Sequence, residues 1–106
     1  MELTDLKLPW MVIDPKYAIS AVVQLKKELG PRHQLRDKSV KAVANRCDCD
    51  DVLFSLIDEE PACAVVHLTY RKSEEPDPRW PETKIFASIE EWKQKCMIPD
   101  CEDYQE

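Results

Sequence analysis

The chain has 106 residues, of which 43% are hydrophobic and 34% charged, and its formal net charge is −6. This length fits one domain with one core, and the composition is that of a globular protein, which excludes a disordered chain. A single glycine excludes a glycine-rich phosphate loop, and no apolar run approaches the roughly 20 residues of a membrane helix.

The first predicted element is a helix that begins after Asp14. Asp14 is a good N-cap residue, Pro15 suits the first helical position, and Gly30 followed by Pro31 is a strong stop signal. Apolar residues recur inside it at helical spacing. The predicted inner stripe consists of Ala18, Val22, Leu25 and Leu29, and it is widened by Ile19 and Val23.

A shorter second helix is predicted after Asp37 or Ser39, with Val40, Val43 and Ala44 facing inward, although VKAVA also alternates as a strand does. The stretch RCDCDD at 46–51 ends it. Two strands follow, VLFSLI at 52–57 and ACAVVHLTY at 62–70, because both are rich in β-branched and apolar residues. The four-residue link DEEP joins them as an antiparallel hairpin.

The segment RKSEEPDPRWPET at 71–83 contains three prolines and no glycine, which predicts an ordered loop. KIFA then forms a third strand. Ser88 and Glu91 form a capping box that opens a final helix, whose inner stripe is Ile89, Trp92 and Cys96. The chain is expected to leave this helix at Pro99 and to continue as an acidic tail.

These elements predict a single α+β domain over residues 1–106. The expected architecture is a small antiparallel sheet of about three or more strands packed with about three helices, in the order α-α-β-β-β-α. We expect Trp10 and Trp92 in the core.

The stretch RCDCDD raises the question of a metal site or a redox pair. Zinc sites use Cys pairs spaced two to four residues apart, whereas Cys47 and Cys49 are separated by one residue. Cys96 and Cys101 could complete a set only if the tail folds back. A redox pair is favoured at a helix N-terminus, whereas this pair follows a predicted helix and lies beside carboxylates. The favoured interpretation is an acidic turn between helix and strand.

Cys63 and His67 form a Cys-x3-His pattern on a predicted strand. Residues four apart on a strand share a face but lie roughly 13 Å apart, so the two side chains cannot act together as nucleophile and base or bind one metal. His67 is therefore interpreted as a core or groove histidine. Five cysteines without a secretory signal predict reduced thiols in the cytoplasm.

Charge is distributed unevenly along the chain. Residues 1–53 carry nine Lys and Arg against eight Asp and Glu, whereas residues 54–106 carry six against thirteen. An acidic half of this kind repels phosphate backbones and suits a basic partner, or it serves solubility alone. Trp80 lies between two prolines in the charged loop. We expect it to be partly exposed, as an interface anchor or as a cover of the sheet edge.

Four runs carry a resemblance to a known group: DDVLFSL (50–56), AVVHLTY (64–70), PRWPET (78–83) and EEWKQKCMIPD (90–100). The chain resembles a group of small uncharacterised bacterial proteins from about residue 14 to residue 104. Some of these are similar to immunity proteins of bacterial toxin systems in size, acidity and lack of catalytic motifs. The resemblance implies an inhibitory protein-binding role, and it assigns no role to any individual residue.

The sequence therefore predicts a non-enzymatic cytoplasmic protein-binding module, most concretely an immunity-type inhibitor that binds a basic toxin domain through an acidic surface. No catalytic residue, metal or cofactor is predicted, and neither nucleic acid nor membrane is an expected partner. The alternatives are an enzyme or small-ligand binder with a pocket near His67 and Cys63, and a homodimerising structural protein. The predicted partner-binding residues are Asp58, Glu59, Glu60, Glu74, Glu75, Asp77, Trp80 and Glu82.

Overall fold

The computed structural model describes residues 6–104. In that range the chain forms one antiparallel sheet of five strands in sequential order, with one helix packed on each face. The elements are β1 (Trp10–Val12), α1 (Pro15–Glu28), β2 (Val40–Arg46), β3 (Asp51–Leu56), β4 (Cys63–His67), β5 (Thr83–Phe86) and α2, which runs through the consecutive helical segments Ile89–Trp92, Lys93–Met97 and Ile98–Tyr104. A short 3-10 turn, Ile57–Glu59, lies between β3 and β4.

The predicted order α-α-β-β-β-α with three helices is wrong. Residues 6–104 contain two helices and five strands, and the order is β-α-β-β-β-β-α. The predicted second helix is β2, which pairs with β1 on one side and with β3 on the other. Trp10, expected in the core, is buried as predicted but belongs to the edge strand β1.

A β-bulge in β2 explains why its sequence resembles a helix. Ala42 pairs with Phe54 and Ala44 pairs with Leu53, so Val43 is an extra residue in this strand. Residues two apart normally share a face of a strand, but the bulge sends Ala42 toward α1 and Ala44 toward α2. The apolar positions therefore lose their period of two.

The two faces of the sheet carry separate cores. On the α1 side, Leu25 packs with Phe54 and Val66. On the α2 side, Trp10 and Trp92 meet edge-to-face, with ring centroids 5.1 Å apart and an interplanar angle of 87°. Because β3 and β4 are covered on both faces, their sequences are almost continuously apolar.

The predicted helix starts are confirmed. The Asp14 carboxylate accepts the backbone N–H groups of Lys16 and Tyr17 at 3.0 and 3.2 Å. The Ser88 hydroxyl accepts the N–H of Glu91 at 3.1 Å. The Glu91 carboxylate accepts the N–H of Ala87 at 2.9 Å, one residue before the position expected for a capping box.

The predicted acidic tail after Pro99 is wrong, because α2 continues to Tyr104. The segment Lys93–Met97 is a π-helical turn, in which the Ile98 N–H bonds to the Lys93 carbonyl five residues earlier. Proline lacks an N–H, and its ring collides with the carbonyl four residues before it in an ordinary helix. The wider turn accommodates Pro99 without ending the helix. Neither described helix is long and apolar enough to cross a membrane.

Glu28 joins α1 to the chain that leaves β4. Its side chain is fully buried, and its oxygens accept four donors. The donors are Gln24 Nε2 (2.7 Å), the Thr69 N–H (2.9 Å), the Thr69 hydroxyl (2.7 Å) and the Tyr70 N–H (2.9 Å). A buried carboxylate without such partners would be strongly destabilising.

The same residue also fixes the loop at 71–82. The Glu28 carbonyl accepts the N–H of Glu75 at 3.1 Å. The backbone of the loop at Glu75 approaches the backbone at position 30 so closely that only glycine fits there. A Cβ at position 30 would lie 2.0 Å from the Glu75 carbonyl oxygen. Tyr70 has φ 58°, which is uncommon for a residue with a side chain, and its bond to Glu28 holds that conformation.

We predict that Glu28→Gln lowers the free energy of unfolding by at least about 2 kcal/mol, because the amide NH₂ would face a buried donor and leave it unpaired. Urea denaturation followed by circular dichroism measures this. Glu90→Gln, at an exposed position, is the matched control. Equal stability of the two variants would show that the Glu28 contacts contribute little.

Candidate functional site

The acidic stretch 46–51 is the turn of the β2–β3 hairpin. It lies between two strands, whereas the sequence predicted it between a helix and a strand. Arg46 binds Asp48 with both Nε and Nη2 at 2.8 Å, which lowers the pKa of Asp48 and organises the turn. Cys47 and Cys49 are exposed. Partial desolvation of the Cys49 thiol, together with the charge of Asp51, raises the pKa of Cys49.

None of the five cysteines, all within residues 6–104, forms a disulfide. Among residues 6–104, no group of three or more His, Cys, Asp or Glu side chains is placed to hold a metal ion. The alternative zinc set that combined Cys47 and Cys49 with Cys96 and Cys101 is therefore not assembled in this part of the chain.

His67 and Cys63 are separated as the strand geometry predicts. Cys63 is buried in the α2-side core, and burial raises its pKa to about 11. His67 is exposed, and its Nδ1 lies 2.6 Å from Asp51 Oδ1 on the neighbouring strand.

A small cleft of ≈ 170 Å³ lies beside His67. Its thiol belongs to Cys96, whose pKa is raised to about 12 by burial and by Asp100. Asp100 also accepts the Trp10 indole N–H at 2.9 Å and lies 3.3 Å from Arg46. Arg46 and Asp100 are thus paired with each other, as are His67 and Asp51, and the Cys96 thiol is protonated at neutral pH.

The predicted acidic partner surface is divided between the two ends of the sheet. Asp58, Glu59 and Glu60 follow the end of β3, where Ser55 pairs with Cys63. The other predicted residues lie on the loop that leaves the opposite end of β4, beyond His67. The five residues of β4 separate the two ends by roughly 13 Å.

Most of these carboxylates are already paired with cations of the same chain. Lys38 binds Glu59 at 2.5 Å, Arg36 binds Glu74 at 2.7 Å, and Arg71 binds Glu75. Arg79 binds Asp77 at 2.7 Å and lowers the pKa of Asp77 to about 2. Internal pairing reduces the negative field that this surface offers to a basic partner.

Trp80 is 44% exposed, in agreement with the prediction, and it sits on an ordered loop. No role was predicted for His33, which fixes this loop. Its Nδ1 accepts the Leu35 N–H at 3.0 Å, so Nε2 carries the hydrogen that is donated to the Pro81 carbonyl at 3.0 Å. The indole is therefore presented on a backbone that is held in place.

An apolar groove that is larger than the cleft beside His67 lies between α1 and β2, and we call it the α1–β2 groove. Its exposed apolar residues are Val12, Ile19, Val23 and Ile57, which are between 48% (Ile57) and 70% (Ile19) exposed. Two adjoining depressions of ≈ 460 and ≈ 480 Å³ share Ala18, Ile19, Lys41 and Ala42 and form one continuous groove.

The prediction that Ile19 and Val23 widen the inner stripe of α1 is wrong. The buried residues of α1 are Ala21, Leu25 and Glu28, and the sheet covers only that side. Apolar residues at 18, 19, 21, 22, 23 and 25 surround more than half of the helix, which is wider than one contact face requires. That excess width is the sequence signal by which the groove could have been found.

None of the protein-family models, curated proteins or solved structures compared with this chain matches it.

We predict that iodoacetamide at pH 7.5 alkylates Cys47 and Cys49 in the folded protein and leaves Cys63 and Cys96 largely unmodified. Cys63 is buried and Cys96 is partly buried, whereas Cys47 and Cys49 are exposed to the reagent. The pKa values of about 11 for Cys63 and about 12 for Cys96 also keep these two thiols protonated, and only thiolates react quickly. Peptide mass spectrometry reads the modification at each cysteine. Rapid modification of Cys96 would reveal an activated thiol beside His67 and would favour an enzyme.

Proposed function

We propose that this protein is a non-enzymatic protein-binding module whose docking face is the α1–β2 groove, and that the occupant is a different protein. The observation that carries this proposal is the contiguous exposure of Val12, Ile19, Val23 and Ile57. An apolar patch of this kind on a small domain is characteristic of an interaction site.

These four side chains contribute little to the stability of the fold while they are exposed to solvent. Covering them with a partner would contribute about 1 to 2 kcal/mol for each residue, since they are half to two-thirds exposed in the free protein. Ile19 and Val23 lie one turn apart on α1, so a single ridge of a partner contacts both.

The chemistry of the remaining surface favours binding over catalysis. The thiols nearest to His67 have raised pKa values, and two carboxylates of the cleft are engaged, Asp100 by Trp10 and Arg46 and Asp51 by His67 itself. A nucleophile with an adjacent free base, which acyl transfer needs, is not assembled beside His67.

The loop at 71–82 is a second candidate surface, favoured by the fixed, partly exposed indole of Trp80. The immunity-type inhibitor suggested by the sequence resemblance is one form of such a module, and it would use this loop to contact a toxin domain. We place the protein in the cytoplasm, where five cysteines without a disulfide stay reduced.

The test is site-specific photo-crosslinking in the protein's own host. A photoreactive residue at position 19 is predicted to form an adduct with another protein, and the adduct should disappear when Val23→Asp is added. The same residue at position 94, on exposed α2 surface, is the matched control.

An adduct from position 80 but not from position 19 would transfer the function to the loop. An adduct at twice the mass of the chain would indicate a second copy of the protein as occupant. No adduct at position 19, or equal labelling from positions 19 and 94, would contradict the proposal.

A further inference from the structure

The lysines around the α1–β2 groove indicate the chemistry of its occupant, if the groove is the docking face proposed above. Lys16 lies one turn before Ile19 and Lys27 one turn after Val23 on the exposed surface of α1, and Lys41 lines both depressions from β2. Lys26 also projects from α1 and donates to the Lys38 carbonyl at 2.7 Å. Lysines of α1 and β2 therefore border the exposed apolar residues.

Negative charge at this face is small. Glu59, which follows Ile57 in the chain, is paired with Lys38 at 2.5 Å. Asp58 and the N-cap Asp14 adjoin the groove residues Ile57 and Pro15 in the chain, and no carboxylate lines the two depressions among the described residues. The local balance is positive on a chain whose net charge is −6. Because screening limits the field to about 8 Å in physiological salt, a docked segment responds to these lysines more than to the distant carboxylates.

The shape of the groove selects side chains over backbone as the contacting groups. β1 pairs with β2 only at residues 44–46, so Val40 and Ala42 have no strand on their outer side among residues 6–104. They are nevertheless only 8% and 4% exposed, which disfavours the pairing of an added strand at these two residues. The groove follows α1 from Pro15 to Val23, roughly 12 Å, which matches two turns of a second helix.

A second copy of the chain fits the groove poorly. A twofold interface places each patch against the same patch of the other copy, so the lysines at the two ends of the α1 ridge would face lysines. An anionic lipid surface is flat and does not fill a concave groove. It would also meet the net negative charge of the rest of the chain.

We infer that the α1–β2 groove binds an amphipathic helix of a partner protein, with an apolar ridge seated between Ile19, Val23 and Ile57 and with Glu or Asp residues on its flanks facing Lys16 and Lys41. This is the helix-in-groove mode of recognition, with charge complementarity at the rim. The partner is therefore acidic where it meets the groove. The sequence predicted a basic partner, because that prediction used the acidic half of the chain.

The test is selection from a display library of helical peptides. Leucine is fixed at three positions spaced for one helical face, and each flanking position carries Glu or Lys at equal frequency. Peptides enriched on the wild-type protein are expected to carry Glu on both flanks, and their binding should be lost in Ile19→Asp. The double variant Lys16→Glu/Lys41→Glu should bind these peptides about tenfold more weakly, whereas Lys72→Glu/Lys84→Glu should not differ from wild type.

Peptides that bind through Ile19 but carry Lys or show no flank preference would overturn the inference and leave the proposed function intact. No enrichment, or enrichment insensitive to Ile19→Asp, would overturn it as well, and the cross-link at position 19 would then decide separately whether the groove binds a protein of another kind. Two further outcomes also contradict it. One is co-sedimentation with phosphatidylglycerol vesicles that Ile19→Asp abolishes, and the other is a dimer mass that the same variant abolishes.

Discussion

The buried carboxylate of Glu28 is the contact on which the arrangement of this protein depends. One side chain accepts hydrogen bonds from α1 and from Thr69 and Tyr70, shortly after β4, and the carbonyl of the same residue accepts the N–H of Glu75 in the loop. These bonds fix the end of α1 against the sheet. The helix is held at that end and packs on the sheet through Leu25. Its outer face therefore makes no contact with the core, and Ile19 and Val23 are exposed to solvent.

Local features of the fold could be predicted from the sequence, and features that depend on distant partners could not. Asp14 and Ser88 cap helices through residues two or three positions away, so their motifs identify both helix starts. The bulge at Val43 depends on the neighbouring strand. It breaks the period of two in β2, and the sequence of β2 was therefore predicted to be a helix. The continuation of α2 past Pro99 requires a π-helical turn, and no short sequence motif predicts such a turn. Glu28 finds its partners 41 and 42 residues later.

The candidate site follows the same division. The sequence identified Trp80 as exposed, because flanking prolines and charges are local information. It could not reveal that Glu59 and Glu74 are paired with Lys38 and Arg36, since those cations lie in the segment between α1 and β2, more than 20 residues away in the chain. A count of charges along the chain therefore overstated the acidic surface. The apolar groove was visible only as an excess of apolar residues around α1, and its assignment required knowing which side the sheet covers.

The most direct test of the account is the free energy of unfolding of the double variant Ile19→Gln/Val23→Gln, measured by urea denaturation. Glutamine has a helix propensity at least as favourable as isoleucine and valine, so exposed positions should lose no more than about 0.5 kcal/mol. Leu25→Ala, at a buried position of the same helix, should cost about 2 to 5 kcal/mol. Wild-type stability in the double variant would show that folding does not require these two residues, as a docking face predicts. A loss similar to that of Leu25→Ala would make them part of the core and would remove the docking face.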